Sequence, residues 1–260
     1  MEWIDLHTHL DKLQEGPDEA LRLAREVGVT RVVTIGTDPD DLPVVLALAK
    51  KHPGKVFCTL GIHPHDGSKY TDEVGKFITA NAHESCVIAV GEIGLDYYYN
   101  QSGKDEQKHA FRAQLEIAAK AGLPVEIHTR DAEADTIEIL KDFSGKVNGI
   151  IHCFTGTQWL ADEALALGFN ISISGIVTFK NAEALRAVVK SLPLDRMHVE
   201  TDAPFLAPVP MRGKPNTSAY MVHTAKFVAD LKGVPEAQFC EQMRKNAETM
   251  FPRLKNFKLS

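Results

Sequence analysis

Eight short apolar runs, each followed by a stretch with helical spacing, recur along this 260-residue chain and leave few folds open to it. The runs cover residues 4–9, 32–35, 56–60, 87–90, 124–128, 149–154, 169–174 and 197–202. They are rich in Val and Ile, whose branched side chains suit a buried, pleated surface. The intervening segments have the period of helices. Over 105–121, for example, Phe111, Leu115 and Ala118 mark one apolar stripe and Gly122 supplies the stop. Segments near 17–28, 40–51, 72–82, 132–142, 158–167 and 182–191 read the same way, with two further helices expected over 219–232 and 235–250. Strands alternating with helices predict an α/β fold with a parallel sheet, and eight such units are the number that closes a TIM (β/α)8 barrel. An open doubly wound sheet is the alternative. It is disfavoured, because neither a G-x-G-x-x-G pattern nor a P-loop follows the first run.

The polar residues gain meaning from this arrangement, because the C-terminal strand ends of such a barrel converge on one mouth. His7 and His9 close the first run, two residues apart, so an extended backbone aims both imidazoles the same way. His63 follows the third run, Glu92 the fourth, His128 ends the fifth, His152 lies in the sixth and Asp202 ends the eighth. Any one of these is an ordinary solvated or capping residue. Their coincidence at one face predicts a metal centre. His7 and His9 share a strand, and Asp202, on the strand that adjoins it in a closed barrel, can complete their site. His128 and His152 lie on adjacent strands and can hold a second ion, while Glu92 between the two groups can bridge both. The expected cofactor is therefore a pair of divalent cations, with a bound water acidic enough to attack near neutral pH. Mixed imidazole and carboxylate donors suit Zn, Mn, Fe or Ni, and Mg less well.

The totals bound the rest. The length fits a single domain over 1–260. A formal net charge of −6 argues against a broad basic surface for nucleic acid, though not against a local anion site built on metal ions. Cys58, Cys86, Cys153 and Cys240 are widely spaced with no CxxC, as in a reduced, cytoplasmic protein. No signal-peptide pattern precedes the first run and no apolar stretch is long enough to span a bilayer, so no membrane is expected. No obligate protein partner is evident, and the oligomeric state is left open.

The motifs DLHTHLD, GIHPH, GEIGLDYY, PVEIHTRDA, IHCFTG, ISISGIVTFKNA, VETDAPFLAP and RGKPN, spread almost from end to end, resemble those of the TatD family of metal-dependent hydrolases. The resemblance implies a TIM barrel of the amidohydrolase-like kind and deoxyribonuclease or related phosphodiesterase activity. It implies one metal on His7, His9, Glu92 and Asp202 and a second on Glu92, His128 and His152, in agreement with the partition above, and it places His63 in the substrate pocket. The chain departs from the family's RGKRNEP pattern, with Pro215 and Thr217 where an Arg and a Glu are common. That leaves the metal ligands untouched and puts substrate positioning by this loop in question.

The expected function is hydrolysis of a phosphodiester at a DNA end. Asp202 would orient or deprotonate the attacking water, Glu92 would hold both ions, and His63 would contact the phosphate or assist the leaving group. Arg130, Lys180, Arg212 and Lys214 are candidate phosphate contacts, and Tyr97, Tyr98 and Tyr99 are candidates to stack a base. A recessed mouth on an acidic protein favours single-stranded or frayed ends over long duplex. The resemblance suggests trimming from the 3′ end. The rival is a related barrel hydrolase acting on a small ester, amide or amine. It is disfavoured because a modified Lys often bridges the metals in such relatives, whereas Glu92 stands there in this chain.

Overall fold

The computed structural model describes residues 1–256. Eight parallel strands pair in the order of the chain: β1 (Trp3–Thr8), β2 (Val29–Ile35), β3 (Val56–Leu60), β4 (Val87–Asp96), β5 (Val125–Arg130), β6 (Gly149–Ile151), β7 (Asn170–Ile173) and β8 (Met197–Val199). The sheet closes on itself just beyond β8. Asp202 donates its backbone N–H to His7 (2.9 Å) and His9 donates to Ala203 (2.7 Å), with Thr8 and Ala203 in parallel register. The TIM barrel expected from the eight-fold alternation is thus observed.

Helices α1 (Pro17–Glu26), α2 (Leu42–Lys51), α3 (Asp72–Asn81), α4 (Lys104–Ala121), α5 (Glu133–Asp142), α6 (Gln158–Ala166), α7 (Glu183–Ser191) and α8 (Met221–Lys232) ring the sheet. Their apolar stripes meet the outward strand residues in one continuous layer, in which Phe111, Leu115 and Ala118 of α4 lie with Val90, Ile93 and Ile127. Local sequence explains several boundaries. Thr71 and Thr157 accept the free N–H groups of Val74 and Leu160 at the starts of α3 and α6 (both 3.3 Å), and Gly122 ends α4 in the left-handed region at φ 64°.

The ninth helix, α9 (Glu236–Met250), and the turn after it cover the N-terminal end of the barrel. Phe251 and Leu254 join Ile4, Leu6, Val33, Ile35, Phe57 and Ile150, which line the interior. Asn246 donates to the carbonyls of Leu194 (2.9 Å) and Met197 (2.8 Å), and Arg31 donates to that of Leu254 (2.7 Å). With that end plugged by side chains, the opposite mouth is the open one.

Two irregularities in the sheet decide where its polar side chains point. Between Asp5 and Thr8, β1 advances three residues while its partner β2 advances two, from Val32 to Thr34. Between Val90 and Ile93, β4 gains one residue on β5 in the same way. Each is a β-bulge, and a bulge re-aims the side chains beside it. In β1 it lets His7 face inward although Leu6, its neighbour, also does. In β4 it turns Glu92 inward between the outward-facing Val90 and Ile93. The strand expected to stop at residue 90 instead runs on to Asp96, so Glu92 lies inside β4 and not at its end. Gly91 permits this, since a Cβ there would sit 2.6 Å from the Cβ of Glu126.

His198 is 1% exposed near the plugged end. Arg196 Nε donates to Asn170 Oδ1 (2.7 Å), which turns the Asn170 amide N–H toward His198 Nε2 (3.0 Å) and fixes that nitrogen as an acceptor. Burial holds this imidazole down to about 3, against an ordinary 6.5. The unfolded chain therefore takes up a proton below about 6.5 that the folded chain refuses, so this contribution to stability is present at neutral pH and is lost as pH falls. One proton corresponds to about 1.4 kcal/mol per pH unit. Unfolding free energies from denaturant titrations between about pH 6 and 4 should fall more steeply in the wild type than in His198→Gln, by roughly that amount. Parallel slopes would show that His198 is not the group responsible.

Candidate metal centre

All seven residues expected at the mouth meet there. The Glu92 carboxylate is 3% exposed and sits at the centre. Its Oε2 lies 3.6 Å from His7 Nε2, and Asp202 Oδ1 lies 3.5 Å from both His7 Nε2 and His9 Nε2. Its Oε1 faces the other way, 3.0 Å from His128 Nδ1 and 3.6 Å from His152 Nε2. Donor atoms bound tetrahedrally at about 2.0–2.2 Å from one ion stand about 3.3–3.6 Å apart, so the spacings of 3.5 and 3.6 Å fit shared coordination, while the 3.0 Å between His128 and Glu92 is a hydrogen bond. His7 Nε2 is also buried without a hydrogen-bond partner. An orphaned lone pair aimed at a cluster of carboxylates is what a metal ligand presents when considered by itself.

Behind these donor atoms stands a layer of acids that sequence reasoning missed. Glu126 Oε1 is 2.5 Å from His7 Nδ1, Glu200 Oε1 is 2.6 Å from His152 Nδ1, and Asp96 Oδ2 is 3.1 Å from His128 Nε2. Each carboxylate stands beside the nitrogen that faces away from Glu92. For His7 the hydrogen bond to Glu126 puts the proton on Nδ1 and leaves the Nε2 lone pair toward the centre, whereas His128 is hydrogen-bonded at both nitrogens, to Asp96 and to Glu92. Asp96 is itself held by the backbone N–H groups of Tyr98 (3.0 Å) and Tyr99 (2.9 Å), and its Oδ2 also meets His65 Nε2 at 3.0 Å. Glu200 accepts from the Cys153 backbone at 2.7 Å and from the Ser172 hydroxyl. A signal for two of these acids was present. Glu126 precedes His128 by two residues and Glu200 precedes Asp202 by two, so the alternation that paired His7 with His9 turns them inward as well.

His63 differs from the others. Its Nδ1 accepts the backbone N–H of His65 at 3.1 Å, so in the neutral ring the proton is on Nε2, 3.4 Å from Glu92 Oε1. Burial holds this imidazole down to about 4, against the pull of the Glu92 charge. His63 is thus a neutral N–H donor aimed into the centre.

The electrostatics are one-sided. Asp96, Glu92, Glu126, Glu200 and Asp202 form no ion pair with Lys or Arg among the described residues; their only such neighbours are imidazoles. Burial drives the Glu126 carboxyl well above the usual range, with Glu200, Glu92 and Asp202 adding to the rise against the opposing pull of His152. Burial likewise drives His7 well below its usual range, assisted by the His152 ring stacked on it at 3.5 Å. At His152 and His128 burial acts in the same sense, but the surrounding acids outweigh it and raise both imidazoles, Glu200 and Glu92 at the first and Asp96 and Glu92 at the second. A cluster of acids compensated by imidazoles alone, with no Lys or Arg, fits divalent cations.

The centre floors a cleft of about 840 Å3 whose lining includes Lys12, Tyr99, Arg130, Phe205 and Leu206. Of the four basic residues expected to meet phosphate, only Arg130 reaches this cleft. Lys180, Arg212 and Lys214 do not line it, and the Arg212 guanidinium instead covers the Phe179 ring at 3.8 Å. Lys12, which was not anticipated, does line it, but it is held by Thr37 (3.2 Å) and Asp41 (3.6 Å). The tyrosines also divide. Tyr97 is tied to Asp135 at 2.5 Å beneath Lys104, whereas Tyr98 and Tyr99 are exposed and Tyr99 faces the cleft. In the RGKPN loop Pro215 is exposed, while Asn216 is buried and donates to the carbonyls of Thr201 (2.9 Å) and Phe205 (2.6 Å).

Comparison with known proteins identifies the family. Residues 4–252 match the family model described as TatD related DNase. The chain is 38% identical over 252 residues to the uncharacterized metal-dependent hydrolase YabD of Bacillus subtilis (strain 168), covering 95% of this chain and 98% of that protein. It is 34% identical over 254 residues to a protein of Pectobacterium carotovorum named 3′-5′ ssDNA/RNA exonuclease TatD, with the same coverage of 95% and 98%. Its fold superposes on the crystal structure of YJJV, a TatD homolog from Escherichia coli K12, with a TM-score of 0.91 at 28% identity, covering 96% of this chain and 98% of that one. The chain belongs to the TatD family of metal-dependent hydrolases.

Proposed function

We propose that the centre binds two divalent cations and hydrolyses phosphodiester bonds at the ends of single-stranded nucleic acid, as a 3′–5′ exonuclease. The observation that carries this reading is the placement of Glu92, whose two oxygens face two different sets of donors. His7, His9, Asp202 and Glu92 Oε2 would hold one ion, and His128, His152 and Glu92 Oε1 the other. When bound, such ions supply Lewis acidity for a phosphoryl oxygen and make water acidic enough to react near neutral pH. The exonuclease named among the relatives supports the choice of substrate and polarity.

The chain's own residues have separable tasks. Glu126 and Glu200 fix His7 and His152 with their Nε2 atoms toward the centre. The Asp202 carboxylate, part-exposed at the cleft floor, can accept a proton from an attacking water. His63 offers its Nε2–H to a phosphate oxygen or to the oxygen of the leaving group. Arg130 stands at the rim with no ion pair to an acid among the described residues and is free to meet a further phosphate.

Metal analysis of purified variants tests the assignment. Glu92→Ala should lose both equivalents and turnover, whereas His63→Ala should retain both and lose turnover by about 10²- to 10⁴-fold, the usual weight of a proton donor. Two metals on Glu92→Ala would refute the bridge, and one equivalent missing from His63→Ala would make His63 a ligand. Glu126→Gln keeps a hydrogen-bond acceptor but removes the charge behind His7. It should weaken divalent metal binding at the His7 site by about 10- to 100-fold while sparing the other. Equal affinities in titration calorimetry would leave Glu126 without a positioning role. The substrate reading is tested with a circular single strand, which has no ends. It should resist degradation while its linear form is consumed, and equal rates would place the cleavage at internal phosphates.

A further inference from the structure

Among the large apolar side chains exposed in the described residues, Tyr98, Tyr99, Phe205 and Val209 fall on the two loops that follow β4 and β8. In a closed eight-stranded barrel these strands lie opposite one another, so the loops face each other across the mouth. Tyr99 is 54% exposed, Phe205 is 53% exposed, and both line the cleft that contains Glu92, His152 and Asp202. Rings on both sides of a cleft offer π-faces to whatever enters it.

Both rings are held in place. The backbone N–H of Tyr99 donates to Asp96 (2.9 Å), and its ring stands edge-on to His65, with centroids 5.3 Å apart. The Phe205 N–H donates to the Asp202 carbonyl (2.8 Å), its own carbonyl accepts from Asn216 (2.6 Å), and its ring meets His9 edge-on at 5.8 Å. The two sides differ in charge. The Arg130 guanidinium lies over the Tyr98 ring at 3.9 Å and 4.8 Å from the centre of the Tyr99 ring, whereas Phe205 has no cation over it among the described residues.

We propose that Tyr99 and Phe205 are the two walls of a clamp that stacks the bases on either side of the scissile phosphate, with Arg130 marking the side on which the nucleic acid chain continues. This rests on the nuclease reading above and refines it. A phosphate between the walls is presented to the centre, the departing terminal nucleoside stacks on Phe205, and the penultimate base stacks beside Tyr99. The next phosphate of the chain then falls to Arg130, which, unlike Lys12, has no acidic partner among the described residues. The terminal side needs no such cation, because no phosphate follows the last nucleoside. Stacking reads the π-face common to all bases, so the clamp demands unpaired nucleosides without choosing their sequence. It also excludes a paired end, whose bases are already stacked and bonded to the opposite strand.

The test combines residue variants with base removal. Metal-loaded wild type, Phe205→Ala and Tyr99→Ala are assayed on a 3′-ended oligothymidylate and on the same strand with an abasic residue at the terminal or the penultimate position. On the intact strand each variant should raise KM by about 5- to 150-fold, the range for loss of one stacked base, with a smaller change in kcat. Removing the terminal base should abolish the difference between Phe205→Ala and wild type while preserving that of Tyr99→Ala, and removing the penultimate base should do the reverse. Phe205→Trp and Tyr99→Phe should restore wild-type KM, since they keep the ring. A variant that merely disturbed the metal centre would be equally slow on all three strands, and that result overturns the clamp. So does wild-type KM in both alanine variants. Turnover of methyl 4-nitrophenyl phosphate with no attack on any oligonucleotide would instead refute the nuclease reading itself.

Discussion

Buried carboxylates without basic partners are the constraint on which the rest of this molecule depends. Glu92, Glu126, Glu200 and Asp96 are each at most 3% exposed, and none is paired to Lys or Arg among the described residues. Several uncompensated charges at such depth would cost far more than the margin by which a domain is stable. The protein meets this in two ways. It surrounds the acids with imidazoles and backbone N–H groups, and it leaves a central gap whose donors fit cations. Burial drives the Glu126 carboxyl up and the His7 imidazole down, each toward its neutral form. A bound cation would draw the Glu126 carboxyl back down and would itself require the neutral His7 ring that burial already favours, so metal occupancy and folding stability would be coupled.

The barrel supplies the positions, but regular strands alone would not. Strict alternation along β1 would turn His7 away from the face that Leu6 occupies, and along β4 it would not turn Glu92 inward between two outward-facing residues. One bulge in each strand corrects this, and both bulges lie at the depth of the centre. The opposite end of the barrel carries the apolar plug from α9. Packing there is conventional and is bonded by Asn246, Arg31 and Arg253 to strand and loop carbonyls. Stability is therefore concentrated at one end and unsatisfied chemistry at the other, the division expected of a barrel enzyme.

Much of this was legible in the residues. The eight-fold alternation gave the fold, and polar residues at strand ends converged as the barrel geometry requires. What escaped has physical reasons. A bulge depends on register with a neighbouring strand, which one strand's sequence does not carry. Gly91 and Gly94 resemble a strand terminator, yet they are small so that β4 can approach β5 and continue to Asp96. Glu126 and Glu200 were hidden because a charged residue within an apolar strand carries no outward sign of what it faces, although their spacing from His128 and Asp202 was available. Lys180, Arg212 and Lys214 failed as cleft residues because a loop's sequence does not state its direction. Arg212 lies on Phe179 instead.

On the proposed reading, an acidic protein acts on a polyanion, and it has to draw its attraction from a short range. With a net charge of −6 there is no long-range steering, and any field from bound ions is screened within about 8 Å at physiological salt. Affinity must then come from contacts made after the strand end has entered the cleft. On the proposed reading those contacts are the ions, one rim arginine and two aromatic rings, the last of which are indifferent to salt. Such a site grips a frayed end and releases the interior of a duplex, because only an unpaired nucleoside can reach the rings and the floor at once. Selectivity for ends is then a consequence of where the attraction is placed, and it requires no element dedicated to rejecting other substrates.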